Sequence, residues 1–151
     1  MADIFKSYFR LIVLVAFVFL FPVSCEKEYE GRIPYVPVNI NVVVSSYIDL
    51  NVPGNYIYFP NYGFAGVILF CVDNINRIYY AFDAACTHDI SSDCSLLEEG
   101  AIEGVVATCP CCGSKFILFS GGSVFNGPAI EPLKQYRVQV LDNGARLRIY
   151  N

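Results

Sequence analysis

The stretch Cys109-Pro110-Cys111-Cys112-Gly113-Ser114-Lys115-Phe116 puts three thiols into four consecutive residues, and twenty residues before it stands Cys86-Thr87-His88 with the only histidine of the chain. Each lies in a loop beside a strand-forming run. Two short loops hanging from strand ends can converge on one metal centre, and thiolates with imidazole are the donors that zinc and iron–sulfur clusters use. Gly113, after the second cysteine pair, lets the backbone turn tightly and aim its amides at sulfur.

Outward from these loops the chain reads as β. Val38, Ile40, Val42 and Val44 alternate with other residues across 36–47, a period-two strand with Pro37 near its start. Turn residues flank Tyr56–Phe59. Apolar runs at 67–72 and 78–82, separated by Asp73-Asn74-Ile75-Asn76-Arg77, predict a hairpin with a longer loop. Short strands at 105–108 and 115–119 flank the cysteine cluster. Residues 136–141 and 146–150 alternate around Asp142-Asn143-Gly144, where Asn-Gly supplies the positive φ of a tight turn. With abundant Tyr (11) and Phe (12), no Trp and no helical period after residue 24, the expected fold is all-β, a sandwich or small barrel.

In these motifs the chain resembles the Rieske family. The first loop of that family is Cys-x-His, matched by Cys86-Thr87-His88; the second is Cys-Pro-x-His-Gly-Ser-x-Phe/Tyr, matched everywhere except at Cys112, which replaces the second histidine. Gly127-Pro128-Ala129, Pro132-Leu133 and Tyr136-Arg137-Val138 are similar to the family's proline loop and closing strands. The resemblance spans roughly 36–151 and is specific from Cys86 to Leu133. It implies a Rieske-like β-sandwich or small barrel with a cluster-binding loop subdomain, and a [2Fe–2S] cluster held by Cys86, His88, Cys109 and Cys112. A standard centre needs two histidines, so the set is Cys3His, as in the CDGSH-type iron–sulfur proteins. The same set suits zinc; in an oxidising compartment Cys109 and Cys112 can instead form a disulfide with each other or with Cys86, leaving no metal.

The resemblance also assigns neighbours. Ser114 matches a serine whose hydroxyl bonds a cluster sulfur. Phe116 stands where high-potential members have tyrosine, so one hydrogen bond is missing. Cys94 and Cys111 match a disulfide between the ligand loops, although Cys94 follows His88 by six residues, farther than usual. Cys71, inside an apolar strand, reads as a buried thiol. The implied role is an electron-transfer module with a redox partner protein rather than a stand-alone enzyme. The rival reading is a zinc-stabilised or cluster-less binding and structural lipoprotein.

The N-terminus reads as targeting. Lys6 and Arg10 precede an apolar run from Leu11 to Phe21, eleven residues and too short to span a bilayer. Pro22-Val23-Ser24-Cys25 resembles a lipobox, with Pro22 in place of the usual aliphatic residue. Residues 1–24 are therefore expected as a signal peptide, 25–35 as a lipidated flexible tether and 36–151 as the folded domain. That organisation places the protein in the envelope of a Gram-negative bacterium, periplasmic or surface-facing, on the membrane through lipidated Cys25. Without residues 1–24, which hold Asp3, Lys6 and Arg10, the 14 acidic and 10 basic residues fall to 13 and 8, a net charge of −5. Such a balance argues against nucleic acid as a partner. Phosphate-binding glycine loops, paired carboxylates at catalytic spacing and a Ser–His–Asp set are all absent. Cys25→Ser should release the protein from membranes, since the several acyl chains of a bacterial lipoprotein anchor it stably; flotation on a density gradient reads this, and a variant that still floats removes Cys25 as the anchor.

Overall fold

The computed structural model describes residues 32–151, so the expected signal peptide and Cys25 lie outside the described residues. Ten strands form two antiparallel sheets, and no α-helix occurs among the described residues. The strands are β1 (Asn39–Val43), β2 (Tyr56–Phe59), β3 (Val67–Asp73), β4 (Ile78–Asp83), β5 (Ile102–Glu103), β6 (Val106–Thr108), β7 (Lys115–Ile117), β8 (Ser123–Asn126), β9 (Gln135–Leu141) and β10 (Arg146–Tyr150). The larger sheet runs β1-β10-β9-β4-β3-β2 and the smaller β5-β6-β7-β8.

The reason for two sheets lies in β3. Val67, Leu69 and Cys71 are buried on one face with Val38, Ile40, Val42, Leu147 and Ile149. Ile68 and Phe70 are buried on the other with Phe82, Leu97, Phe116, Leu118 and Leu133. A strand covered on both sides reads as a continuous apolar run rather than an alternation, and Val67–Cys71 is such a run. The first core closes the curled large sheet on itself. The second seats the small sheet and its loops against the large one.

The expected alternation in the first strand holds, with Val38, Ile40, Val42 and Val44 all buried. The strand itself is shorter than the expected 36–47, because its partner β10 begins at Arg146, opposite Val43, and beyond that pair the chain turns into a 3-10 turn. The β9–β10 connection is a four-residue loop, since Leu141 pairs with Arg146. Asp142, Asn143 and Gly144 all have positive φ there, at 49°, 56° and 92°. β5 and β8 were not anticipated; two residues, or four that are half exposed, carry too little pattern.

One boundary is corrected. The flexible tether was expected to reach residue 35, yet Ile33 is 4% exposed and belongs to the second core. The Lys134 ammonium donates to the Pro34 carbonyl at 2.8 Å, and the Arg32 guanidinium donates to the His88 carbonyl at 2.9 Å. Residues 32–35 are thus docked, because an isoleucine among charged residues gains more by burial than by staying in the tether.

At the end of β4, Asp83 is wholly buried. Its carboxylate accepts hydrogen bonds from the backbone N–H of Phe64 (2.8 Å), Ala65 (3.2 Å) and Ala85 (3.2 Å) and from the Tyr136 hydroxyl (2.5 Å). Burial, then the bond to Asp83 and its charge, push the Tyr136 hydroxyl well above the usual tyrosine range. A carboxylate with four donors is tolerated in a core, whereas orphaned buried N–H groups cost about 1–3 kcal/mol each. Asp83→Ala should therefore destabilise the domain by about 3 kcal/mol or more, and Tyr136→Phe by less; urea unfolding followed by circular dichroism measures both, and an Asp83→Ala variant as stable as the parent removes the carboxylate from this role.

Candidate metal centre

The first ligand loop leaves β4 directly after the Asp83 anchor. Ala84 and Ala85 are buried, and Cys86 follows with no exposed surface. The Cys86 N–H donates to the Ser95 carbonyl at 2.9 Å, so the insert after His88 folds back to hold the loop. The second loop joins β6 to β7 as a tight turn: the Cys109 N–H donates to the Ser114 carbonyl (2.8 Å) and the Gly113 N–H to the Cys109 carbonyl (2.9 Å). Gly113 takes φ +72°, a conformation other residues rarely adopt.

The loops bring together three thiols. The sulfurs of Cys86, Cys109 and Cys112 all lie within 4.8 Å of one another, and those of Cys86 and Cys112 are 3.6 Å apart. Cys86 and Cys109 are buried, while Cys112 is half-buried. Cys94 and Cys111 form the expected disulfide between the loops, with Cα atoms 5.2 Å apart. A bridge closing a loop of this length contributes about 3 kcal/mol in the chain-entropy account. Cys71 is buried in the first core on the opposite face of β3, away from these thiols.

His88 stands apart from the trio. Its side chain is exposed, and it is not one of the three residues whose ligand atoms gather. Its backbone does contribute, since the His88 N–H donates toward the Cys86 sulfur. Ser114 is fully buried, with its hydroxyl 3.1 Å from the Cys112 sulfur. The same oxygen accepts the Ala129 N–H at 3.0 Å, leaving its proton free for sulfur.

Two thiols of the trio are pushed in opposite directions. Burial raises Cys86 to about 12, against the opposing His88 N–H. Cys112 feels burial too, but the hydrogen bonds from Ser114, Cys109 and Cys86 outweigh it and its pKa is lowered. A thiolate is thus stabilised first at Cys112, where Ser114 donates.

Sequence reasoning missed two residues here. Thr87, between Cys86 and His88, is buried and donates its hydroxyl to the Glu131 carbonyl at 2.6 Å. This fastens the third loop, 127–132, to the first, as Ser114 fastens it to the second. Arg32 is the other, on the His88 carbonyl. A polar residue between two candidate ligands was the available signal for Thr87; for Arg32 there was none. Gly127 permits the third loop's approach, because a Cβ on it would come within 2.5 Å of the Ser114 Cα.

The model of the Rieske [2Fe-2S] domain matches residues 49–137, which contain both ligand loops and the loop that covers them. The chain belongs to the Rieske [2Fe–2S] domain family. Among solved structures, one chain of the complex of reduced oxygenase and oxidised ferredoxin in carbazole 1,9a-dioxygenase is similar over 75% of this protein and 93% of its own length, with 25% identity and a TM-score of 0.52. The ferredoxin of Sphingomonas yanoikuyae B1 is similar over 66% of this protein and 88% of its own length, with 21% identity and a TM-score of 0.45. No curated protein matches the chain closely enough to count as a relative.

The residues present fit the [2Fe–2S] cluster of this Rieske domain. Three thiol sulfurs converge on two disulfide-linked loops, sheltered by a third, and sulfur is the donor iron–sulfur clusters require. The domain is an iron–sulfur electron-transfer module. Cys86→Ser, Cys109→Ser and Cys112→Ser should each abolish stable cluster binding, whereas Cys71→Ala should leave iron and sulfide content unchanged; iron and acid-labile sulfide assays on anaerobically purified protein check this, and a full complement in Cys112→Ser removes Cys112 from the ligand set.

Proposed function

We propose that this protein is a lipid-anchored electron carrier of the bacterial cell envelope, and that its [2Fe–2S] cluster is held by Cys86, His88, Cys109 and Cys112, with cysteine replacing the usual second histidine. The observation that carries the ligand set is the position of Cys112: its sulfur lies 3.6 Å from that of Cys86, and Ser114 is aimed at it. His88 completes the four donors as the only imidazole in the chain, two residues from Cys86 on the exposed side of the same loop.

Bound there, the cluster supplies one-electron exchange. The chain supplies the rest. Buried Cys86 and Cys109 keep water from the inner side of the site. Ser114 donates to sulfur and so stabilises negative charge there. Phe116, fully buried in the second core, packs where a tyrosine hydroxyl would have added another such bond. The neighbour seen in a ferredoxin–oxygenase complex supports a protein redox partner.

Three thiolates and one neutral imidazole leave the oxidised centre with one net negative charge, where two thiolates and two imidazoles leave none. Negative charge opposes an added electron, and the absent hydroxyl at Phe116 acts in the same direction. The potential should therefore lie below the upper Rieske range, roughly between 0 and −350 mV. It should fall with rising pH through the single histidine, by at most one proton per electron. Protein-film voltammetry from about pH 6 to 10 measures both. A slope of two protons per electron overturns the ligand set, and colourless protein with stoichiometric zinc overturns the electron-transfer role in favour of a structural one.

A further inference from the structure

The described chain begins at the candidate metal centre. Arg32 donates to the carbonyl of His88, Ile33 is buried in the core that also holds Cys86 and Cys109, and Lys134 holds the Pro34 carbonyl. Further on, the Asn151 side chain accepts the Val38 N–H and donates to the Val36 carbonyl, continuing the attachment up to β1. This arm is therefore bolted to the first ligand loop before it becomes a strand. It also lies ahead of residues 49–137, the stretch that matches the Rieske domain.

Six residues, 26–31, separate Cys25 from Arg32. Fully extended, the seven steps between them reach about 25 Å. An acyl anchor on Cys25 thus holds the His88 end of the molecule beside the bilayer, while Ile75, at the far end of the β3–β4 hairpin, points away. The ligand-loop end is apolar at its tip, with Ile130 86% and Tyr35 64% exposed and Pro110 and Pro128 exposed beside the loops. Around that tip the chain is acidic: no Lys or Arg occurs from residue 78 to 114, a stretch that holds Asp89, Glu98, Glu99 and Glu103. The tether adds Glu26, Glu28 and Glu30 against Lys27. Such a surface is repelled by anionic lipid and steered toward cationic protein.

We propose that the ligand-loop tip, centred on Ile130, is a docking surface turned toward the membrane by the Arg32–Val38 arm, and that its partner is a membrane-embedded one-electron carrier with a basic surface around an apolar centre. This rests on the lipid anchor at Cys25. One electron passes from the reduced cluster to that carrier, with no bond made or broken.

The absence of Trp from the chain makes a clean test. Ile130→Trp and Ile75→Trp each place one reporter on an exposed isoleucine, at 86% and 84% exposure. The lipidated full-length variants are reconstituted into phosphatidylcholine vesicles carrying a dansyl headgroup lipid. Failure to float with the vesicles defeats the anchor, and the proposal with it. For protein that floats, energy transfer from position 130 should exceed that from position 75 at least about twofold. Insertion of twenty Gly/Ser residues after Glu30, which adds a flexible span of about 25 Å, should remove most of the difference. Equal transfer overturns the orientation while leaving the anchor intact. A blue shift of the position-130 emission on lipid alone makes the bilayer itself the occupant and overturns the protein partner.

On native membranes stripped of peripheral proteins, the reduced lipidated protein should regain its visible absorption roughly tenfold faster than the insertion variant, as the effective concentration of a longer tether falls. Equal rates overturn a membrane-embedded acceptor.

Discussion

Everything at the metal centre depends on where β4 stops, and a buried carboxylate stops it. Asp83 accepts three backbone N–H groups and one tyrosine hydroxyl within a core that has no water to offer them. Two of those donors lie in the loop before β3, one at the start of the first ligand loop and one on β9. The carboxylate therefore locks three segments, distant in sequence, at one point. Cys86 sits three residues beyond it, on backbone that is already fixed.

From that point the site is assembled by fastening loops rather than by extending strands. The Cys94–Cys111 bridge ties the first loop's insert to the second loop. Thr87 ties the first loop to the third, and Ser114 ties the second to the third. Each fastener satisfies polar backbone that would otherwise be stranded beside apolar residues. The result is a trio of thiols held close in a protein with little regular structure around them. The two-sided burial of β3 supplies the rigid support, since its upper-face residues pack directly under the loops.

Electrostatics and chain path give the molecule a direction. Acidic residues crowd the segment between the ligand loops, while Arg137, Arg146 and Arg148 lie on strands β9 and β10 of the larger sheet, exposed to solvent. The docked N-terminal arm enters at the acidic end. For an electron carrier this matters physically: transfer is governed by how closely and how often the cluster end meets its partner, so where a tether leaves the domain selects among partners.

The sequence by itself determined the family, the all-β class, the two ligand loops and the Cys94–Cys111 pairing, because ligand chemistry and glycine turns are local and their spacing survives any arrangement of the sheets. It also determined which strands exist where alternation or a long apolar run was available, as in β1, β3, β4, β9 and β10. Tertiary structure alone decided the rest. Asp83 reads as one more acid until four donors from other segments surround it, and Thr87 reads as a spacer until a carbonyl 44 residues away accepts its proton. Ile33 reads as tether until a core formed by β3, β4 and β7 takes it in. The exposure of His88, too, was invisible in the pattern. Each of these depends on a long-range contact, and such contacts are settled by which surfaces pack together rather than by any residue's immediate neighbours.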